Sequence, residues 1–225
     1  MPSSILTRKK LQCYLQDVGT FSNPKLQLEQ YPTSAQVATD ILFNMQTVDG
    51  ALQGMSVADL GCGPGVFSIG ACLLGASYVL AVDVDADALN DLSENLDAHD
   101  LKHGCIDIML ADVTRLSRDD GRKLVDTVIL NPPFGTLASN TGIDMKFLNA
   151  ALSMAQSHVY SLHKSTTRSL SFGSLCSPQH VLRTAEATGA KAKVVAELRF
   201  DIPRMYKRHK QNTVDIQVDL VHAWF

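Results

Sequence analysis

The chain has 225 residues, 45% hydrophobic and 19% charged, which suits one α/β domain with a substantial core and a small extension. With 20 Lys+Arg against 23 Asp+Glu the formal net charge is -3, so any contact with nucleic acid must come from a local basic patch. Five scattered cysteines (Cys13, Cys62, Cys72, Cys105, Cys176) without a C-x-x-C pair argue against a disulfide framework or a zinc site of the chain's own, and no apolar run reaches the roughly 18 residues of a membrane span.

In chain order, residues 1–50 are expected to form a helical extension. Met1 to Lys10 lacks an apolar core after its charges, so no signal peptide is expected. Ile5 to Leu15 predicts a short helix, and Asn23-Pro24-Lys25 interrupts the helical pattern. Glu29-Gln30-Tyr31-Pro32-Thr33 reads as a turn in which Thr33 could cap a helix from Ser34 to about Met45, with Val37, Ala38, Ile41, Leu42 and Met45 on one stripe. Thr47 to Gly54 reads as a loop.

From Met55 strands and helices alternate. Predicted strands are Val57–Leu60, Tyr78–Asp83, Asp107–Leu110, Val125–Leu130 and Val159–Leu162; predicted helices are Val66–Leu74, Asp87–His99, Asp144–Gln156 and His180–Thr188. Lys193–Leu198 and Val214–Val221 close the chain as a strand pair, and in the second Val214, Ile216, Val218 and Leu220 alternate with polar residues, the period of a half-buried strand.

The first of these strands runs into Gly61-Cys62-Gly63-Pro64-Gly65, where glycine permits a tight turn and close approach to a ligand. A dinucleotide fingerprint would want a third glycine where Val66 stands. Asp83 ends the next strand at about the 20-residue offset of a ribose-binding acid; the alternative is a strand-end acid or helix cap. Asp112, or the main chain at Val113, could receive an adenine amine, and a plain turn acid is the other reading. Together these residues resemble the S-adenosylmethionine site of class I methyltransferases, and the absence of a lysine at the turn fits a ligand without phosphates. The implied fold is α/β and Rossmann-like, a seven-stranded mostly parallel sheet with helices on both faces and an antiparallel terminal hairpin.

Asn131-Pro132-Pro133-Phe134 lies just past the fourth strand, on the edge where open α/β sheets bind ligands. The prolines stiffen the turn. The Asn131 side-chain oxygen and the Pro132 carbonyl can accept the two N–H bonds of a conjugated amine, and Phe134 can stack on its ring. Pro132 and Pro133 alone would also make a rigid turn, but that leaves the flanking Asn and aromatic unexplained.

These motifs, with Glu29 to Thr33, Val82 to Asp85, Gly135-Thr136, Asp144-Met145, Tyr160 to Ser165 and Val214 to Ile216, resemble the eukaryotic N6-adenine methyltransferases of small-subunit ribosomal RNA. The resemblance implies S-adenosylmethionine as cofactor, N6 of one adenosine in 18S ribosomal RNA as target, and a small zinc-containing activator subunit as obligate partner in a heterodimer. It implies that Gln30, Thr33, Gly61, Pro64, Val66, Asp83, Asp112 and Val113 line the cofactor site, with Gly63 in the same turn. It implies residues 51–225 as catalytic domain, and a nuclear (nucleolar) and cytoplasmic location. Pro64 stands where the family can carry another residue, which a backbone contact would tolerate, and Ser169 to Gln179 is an additional stretch.

Arg204, Lys207, Arg208 and Lys210, with Tyr206 among them, form a basic loop suited to phosphates and base stacking; Arg8, Lys9 and Lys10 could form a second patch. The thin third strand is expected at an exposed edge that the activator could cover. Two rival readings remain: methylation of another conjugated amine (glutamine N5 of a release factor or guanine N2), and a catalytically silent adaptor.

Overall fold

The computed structural model describes residues 6–101, 104–116, 121–135, 137–165, 178–203 and 213–225, with main chain only at 201–203 and 213–215. The basic loop of Arg204 to Lys210 and most of Ser169 to Gln179 therefore lie outside the described residues.

Seven strands form one sheet: β1 (Ser56–Leu60), β2 (Tyr78–Asp83), β3 (Ile106–Leu110), β4 (Val125–Leu130), β5 (Ala155–Lys164), β6 (Lys191–Pro203) and β7 (Thr213–Trp224). Their spatial order is β3-β2-β1-β4-β5-β7-β6. The first five pair in parallel and β7 runs antiparallel between β5 and β6. The chain steps outward from β1 to β3 and then returns to the other side of β1 with β4. That reversal opens a crevice beyond the carboxyl ends of β1 and β4, where ligands bind in such sheets.

Among the described residues six α-helices accompany the strands: α1 (Arg8–Gln16), α2 (Ala35–Asp49), α3 (Val66–Leu73), α4 (Ala86–Ala98), α5 (Ile143–Met154) and α6 (Pro178–Glu186). Because side chains alternate along a strand, β1 and β2 feed two cores. Val57, Val79 and Ala81 pack with Leu11 and Leu15 of α1, Ile41 of α2, Phe67 of α3 and Leu92 of α4. Ala58, Leu60 and Val82 pack with Leu148 of α5 and Val181 of α6. Burial on both faces explains why these strands read as continuous apolar runs.

Several boundaries differ from expectation. Helix α2 absorbs Thr47 to Asp49, expected as loop: Thr47 Oγ1 bonds back to the Phe43 carbonyl at 2.7 Å, and Gly50, left-handed at φ 62°, stops the helix only there. Ser34, not Thr33, caps α2, accepting from the Val37 amide at 3.3 Å. Strand β7 is not half-buried from Val218 onward. Val218 through Ala223 are all buried between neighbours on both sides. Its polar positions carry partners: Asp219 accepts from Ser165 Oγ at 2.6 Å, and His222 stacks on Tyr160 at 4.2 Å between centroids.

Candidate active site

Beyond the strand ends lies a cavity of about 480 Å³, and every site residue named from the sequence stands in its wall. Its walls come from five places: the extension, the glycine turn, the ends of β2 and β3, the Asn131 to Phe134 turn, and the aromatic rings of Phe147 and Phe200.

The glycine turn closes on the end of β2. The amides of Gly61 and Cys62 both donate to the Val82 carbonyl, at 2.8 and 3.0 Å. Gly63 donates to Asp83 Oδ2 at 2.9 Å, while Asp83 Oδ1 accepts from the Asp85 amide at 2.9 Å. Asp83 is 8% exposed; burial pushes its carboxyl pKa up, and these main-chain bonds oppose the rise. A carboxylate has further lone pairs, so one that closes the turn can still accept from a ligand hydroxyl. A side chain at Gly63, φ 51°, would put its Cβ 2.7 Å from the Phe21 ring, so only glycine fits. The Pro64 carbonyl accepts from Asn95 Nδ2 at 2.9 Å, which fixes the turn through main chain.

The Asp112 carboxylate is engaged by its own turn. Its Oδ1 accepts from the amide and hydroxyl of Thr114 at 2.9 and 2.7 Å, and Oδ2 lies 3.3 Å from Arg115 Nε. The neighbouring Val113, 2% exposed, also lines the cavity, as does Val66 at the first turn of α3.

The extension is clamped over this site. Gln30 Nε2 donates to Asp85 Oδ2 at 2.7 Å and its Oε1 accepts from the Lys25 amide at 2.7 Å. Lys25 Nζ pairs with Asp85 and, at 3.0 Å, with Asp87. These contacts depress both carboxyl pKa values, against the burial that opposes this at Asp85. Gln30 thus lines the cavity with its side chain committed to the clamp. Glu29, read from the sequence as part of the Glu29 to Thr33 segment but given no site role, is 4% exposed and left-handed at φ 49°. Its Oε1 accepts from the Leu137 amide at 3.1 Å and Asn140 Nδ2 at 3.0 Å, anchoring the loop that follows Phe134.

At the centre, Asn131 Nδ2 donates to Thr33 Oγ1 at 3.0 Å. The other end of that amide, Oδ1, is buried and has no hydrogen-bond partner among the described residues. Phe134, 8% exposed, meets Phe200 edge to face, with centroids 6.3 Å apart and planes at 84°. Phe21, Phe147 and Phe200 were not legible as site residues: each is a single aromatic whose only signal is position, Phe200 just ahead of the basic loop. Behind the turn, His163 links Asp144 at 3.2 Å and Ser161 at 3.0 Å. All three are buried and none lines the cavity, so this set braces α5 against β5 and offers no nucleophile.

The methyltransferase small domain family matches residues 33–158. The rRNA N6-adenosine-methyltransferase METTL5 of Danio rerio is 45% identical over 213 residues, covering 95% of this chain and 96% of that protein. Its namesake of Drosophila melanogaster is 42% identical over 214 residues, covering 95% and 94%. Among solved structures, protein PH1948 from Pyrococcus horikoshii superposes with TM-score 0.76 at 31% identity, covering 98% of this chain and 97% of that one.

Proposed function

This chain belongs to the methyltransferase small domain family and, within it, to the rRNA N6-adenosine-methyltransferases, and we propose that it transfers a methyl group to N6 of an adenosine in 18S ribosomal RNA. The observation that carries the reading is Asn131 Oδ1: a buried acceptor without a partner among the described residues, beside Pro132 and Phe134 in the cavity wall. A buried polar atom left unsatisfied costs about 1–3 kcal/mol, a cost that a substrate N–H removes.

S-adenosylmethionine, when bound, supplies an electrophilic methyl group on sulfonium. The residues fit it: Asp83 can accept from the ribose hydroxyls, and among the described residues the wall contains no Lys or Arg that a phosphate would call for. Gly61, Gly63, Pro64 and Val66 at the turn, Val113 just past the end of β3, and Gln30 and Thr33 of the extension would hold it. In this reading residues 1–50 contribute to the cofactor site and residues 51–225 form the catalytic domain.

The N6 amine is conjugated with its ring and therefore a poor nucleophile. Two acceptors, Asn131 Oδ1 and the Pro132 carbonyl, take its two N–H bonds, favour a tetrahedral nitrogen and stabilise the positive charge that develops on it. Pro133 stiffens the turn that aims them. Phe134 offers the target ring an apolar wall, held in place by Phe200. The nitrogen would take the methyl group as the donor's S–C bond breaks, leaving the donor as its thioether, and would then lose a proton to solvent. No base is needed beforehand because the amine is neutral. The target adenosine must leave its stack to reach this depth, which favours a loop or junction of RNA over a regular duplex.

The partner in this reading is the small zinc-containing activator, in a heterodimer, with the complex in the nucleus (nucleolus) and cytoplasm. Strand β3 supports it. Among the described residues it pairs only with β2 and stands at the sheet edge, with Ile108, Met109 and Leu110 exposed by 40%, 39% and 61%. Exposed apolar edge strands are surfaces for another chain.

The test is methyl transfer from labelled S-adenosylmethionine to 18S RNA by the chain co-expressed with the activator, read by nucleoside mass spectrometry. N6-methyladenosine is expected. Label in methylated guanosine or in protein, or none at all, would overturn the reading.

A further inference from the structure

The Asn131 amide has two unlike ends. Oδ1 can receive the hydrogen of an amine; Nδ2 can only donate. A half-turn of the amide would set donor against donor and disable the site. What fixes the orientation is the partner at the other end, Thr33 Oγ1, 3.0 Å from Nδ2 and 98 residues away in the chain.

Thr33 is not needed elsewhere. Ser34 caps α2, so the Thr33 hydroxyl has no duty to the helix. Its own position is set on both sides: Gln30 ties the segment to Asp85, and Glu29 ties it to Leu137 and Asn140. A hydroxyl alone is ambiguous, since it can accept from Nδ2 or, with the amide turned, donate to Oδ1. The ambiguity ends once its hydrogen is claimed by another acceptor. Thr33 then has only lone pairs to offer Asn131, and only Nδ2 can answer them. Among the described residues the structure shows no acceptor for that hydrogen, and Thr33 lines the cavity.

We propose that Thr33 is a positioning residue which couples occupancy of the methyl-donor site to the orientation of the Asn131 amide. An acceptor group of the bound donor would take the Thr33 hydrogen, which leaves Thr33 only lone pairs, locks the bond from Asn131 Nδ2 and keeps Oδ1 turned to the substrate amine. The inference rests on the methyl-transfer reading and adds to it an order: the donor site prepares the acceptor site.

Three forms of the full chain, each co-expressed with the activator, test it: wild type, Thr33→Val, which keeps the shape without the hydroxyl, and Thr33→Ser, which keeps the hydroxyl. Turnover on RNA, affinity for S-adenosylhomocysteine by calorimetry, and the side-chain amide signals of Asn131 by NMR are measured on each. In Thr33→Val turnover falls roughly 10- to 100-fold, the loss typical of a misaligned catalytic group, while affinity for S-adenosylhomocysteine changes less than about threefold, roughly one hydrogen bond's worth. The Asn131 amide signals shift on adding S-adenosylhomocysteine in wild type and Thr33→Ser but not in Thr33→Val. Turnover in Thr33→Val within twofold of wild type overturns the proposal, and so does a loss of affinity that matches the loss of turnover, or Thr33→Ser failing as Thr33→Val does. Absence of RNA methylation by wild type would sink the underlying reading instead, and the NMR response would still decide the role of Thr33.

Discussion

Glu29 reaches across 108 residues to hold the amide of Leu137 at 3.1 Å, and the same oxygen receives Asn140 Nδ2 at 3.0 Å. A carboxylate that is 4% exposed and accepts two bonds is a fixed point for the loop carrying Phe134. Glu29→Ala leaves the Leu137 amide unanswered, while Asn140 Nδ2 keeps the Gln27 carbonyl at 3.0 Å, so the fold loses about 1–3 kcal/mol. Glu29→Gln keeps one oxygen in place and loses less. Urea unfolding orders the three proteins, and limited proteolysis after residue 137 is faster in Glu29→Ala. Equal cleavage rates in all three would show that the loop does not depend on Glu29.

The glycine turn gives a second expectation. In Gly63→Ala the new Cβ meets the Phe21 ring at 2.7 Å, at φ 51° where an L side chain is also strained. Either the ring or the turn must shift, and both border the cavity. Affinity for S-adenosylmethionine drops by about tenfold, the scale of the roughly 1–2 kcal/mol that a left-handed backbone costs an L residue. The double variant Gly63→Ala with Phe21→Ala recovers the steric part and keeps the backbone part, so the two changes are not additive. Calorimetry on the four proteins reads the coupling directly. Additive losses would remove Phe21 from the explanation.

The central strands β1, β2 and β4 were legible because they are covered on both faces and read as largely apolar runs. The glycine turn and Asn131 to Phe134 were legible because their chemistry is local to a few consecutive residues. Thr33 was misread as a helix cap for the opposite reason: its partner, Asn131, is far away in sequence, and Ser34 beside it is an equally good cap. The half-buried reading of β7 failed because alternation within one strand says nothing of its neighbours. Asp219 and His222 are polar, yet inside the sheet Asp219 accepts from Ser165, and His222 stacks on Tyr160 with its Nε2 3.0 Å from His158 Nδ1. Glu29, Phe21 and Phe200 reach the site only through docking of the extension and of β6.

Asp59, at 1% exposure, predicts a pH dependence of the fold. Burial pushes its carboxyl up from the ordinary 3.8 to about 7, against a 2.6 Å bond from Ser68 Oγ. The sign follows from the folded state holding the proton more tightly than the unfolded chain. The contribution is full below about pH 4, the unfolded value, and is lost as pH rises through about 7. Asp59→Asn keeps an acceptor for Ser68 and removes the titration. Its urea midpoint therefore exceeds that of wild type at pH 8 and approaches it near pH 4. A wild-type midpoint that rises between pH 4 and pH 8 relative to Asp59→Asn would contradict the assignment.

The edge of β3 allows main-chain docking to be separated from side-chain docking. Val79 donates to the Cys105 carbonyl at 2.7 Å and Ala111 donates to the Asp83 carbonyl at 2.9 Å. In a parallel pair, residues facing the neighbour alternate, so Asp107 and Met109 point their main chain at β2, while Ile108 and Leu110 point theirs outward. Ile108→Pro therefore removes an outward N–H and leaves the β2 ladder whole, as proline on an edge strand can. Ile108→Ala removes the side chain alone. If the activator adds a strand to this edge, Ile108→Pro abolishes its co-purification while Ile108→Ala only weakens it. The single chain of Ile108→Ala, changed at an exposed site, keeps its stability within about 0.5 kcal/mol. Equal retention of the activator by both variants would mean that β3 is not where the two chains meet. Loss with Ile108→Ala as complete as with Ile108→Pro would mean that the apolar side chain, not the open ladder, makes the contact.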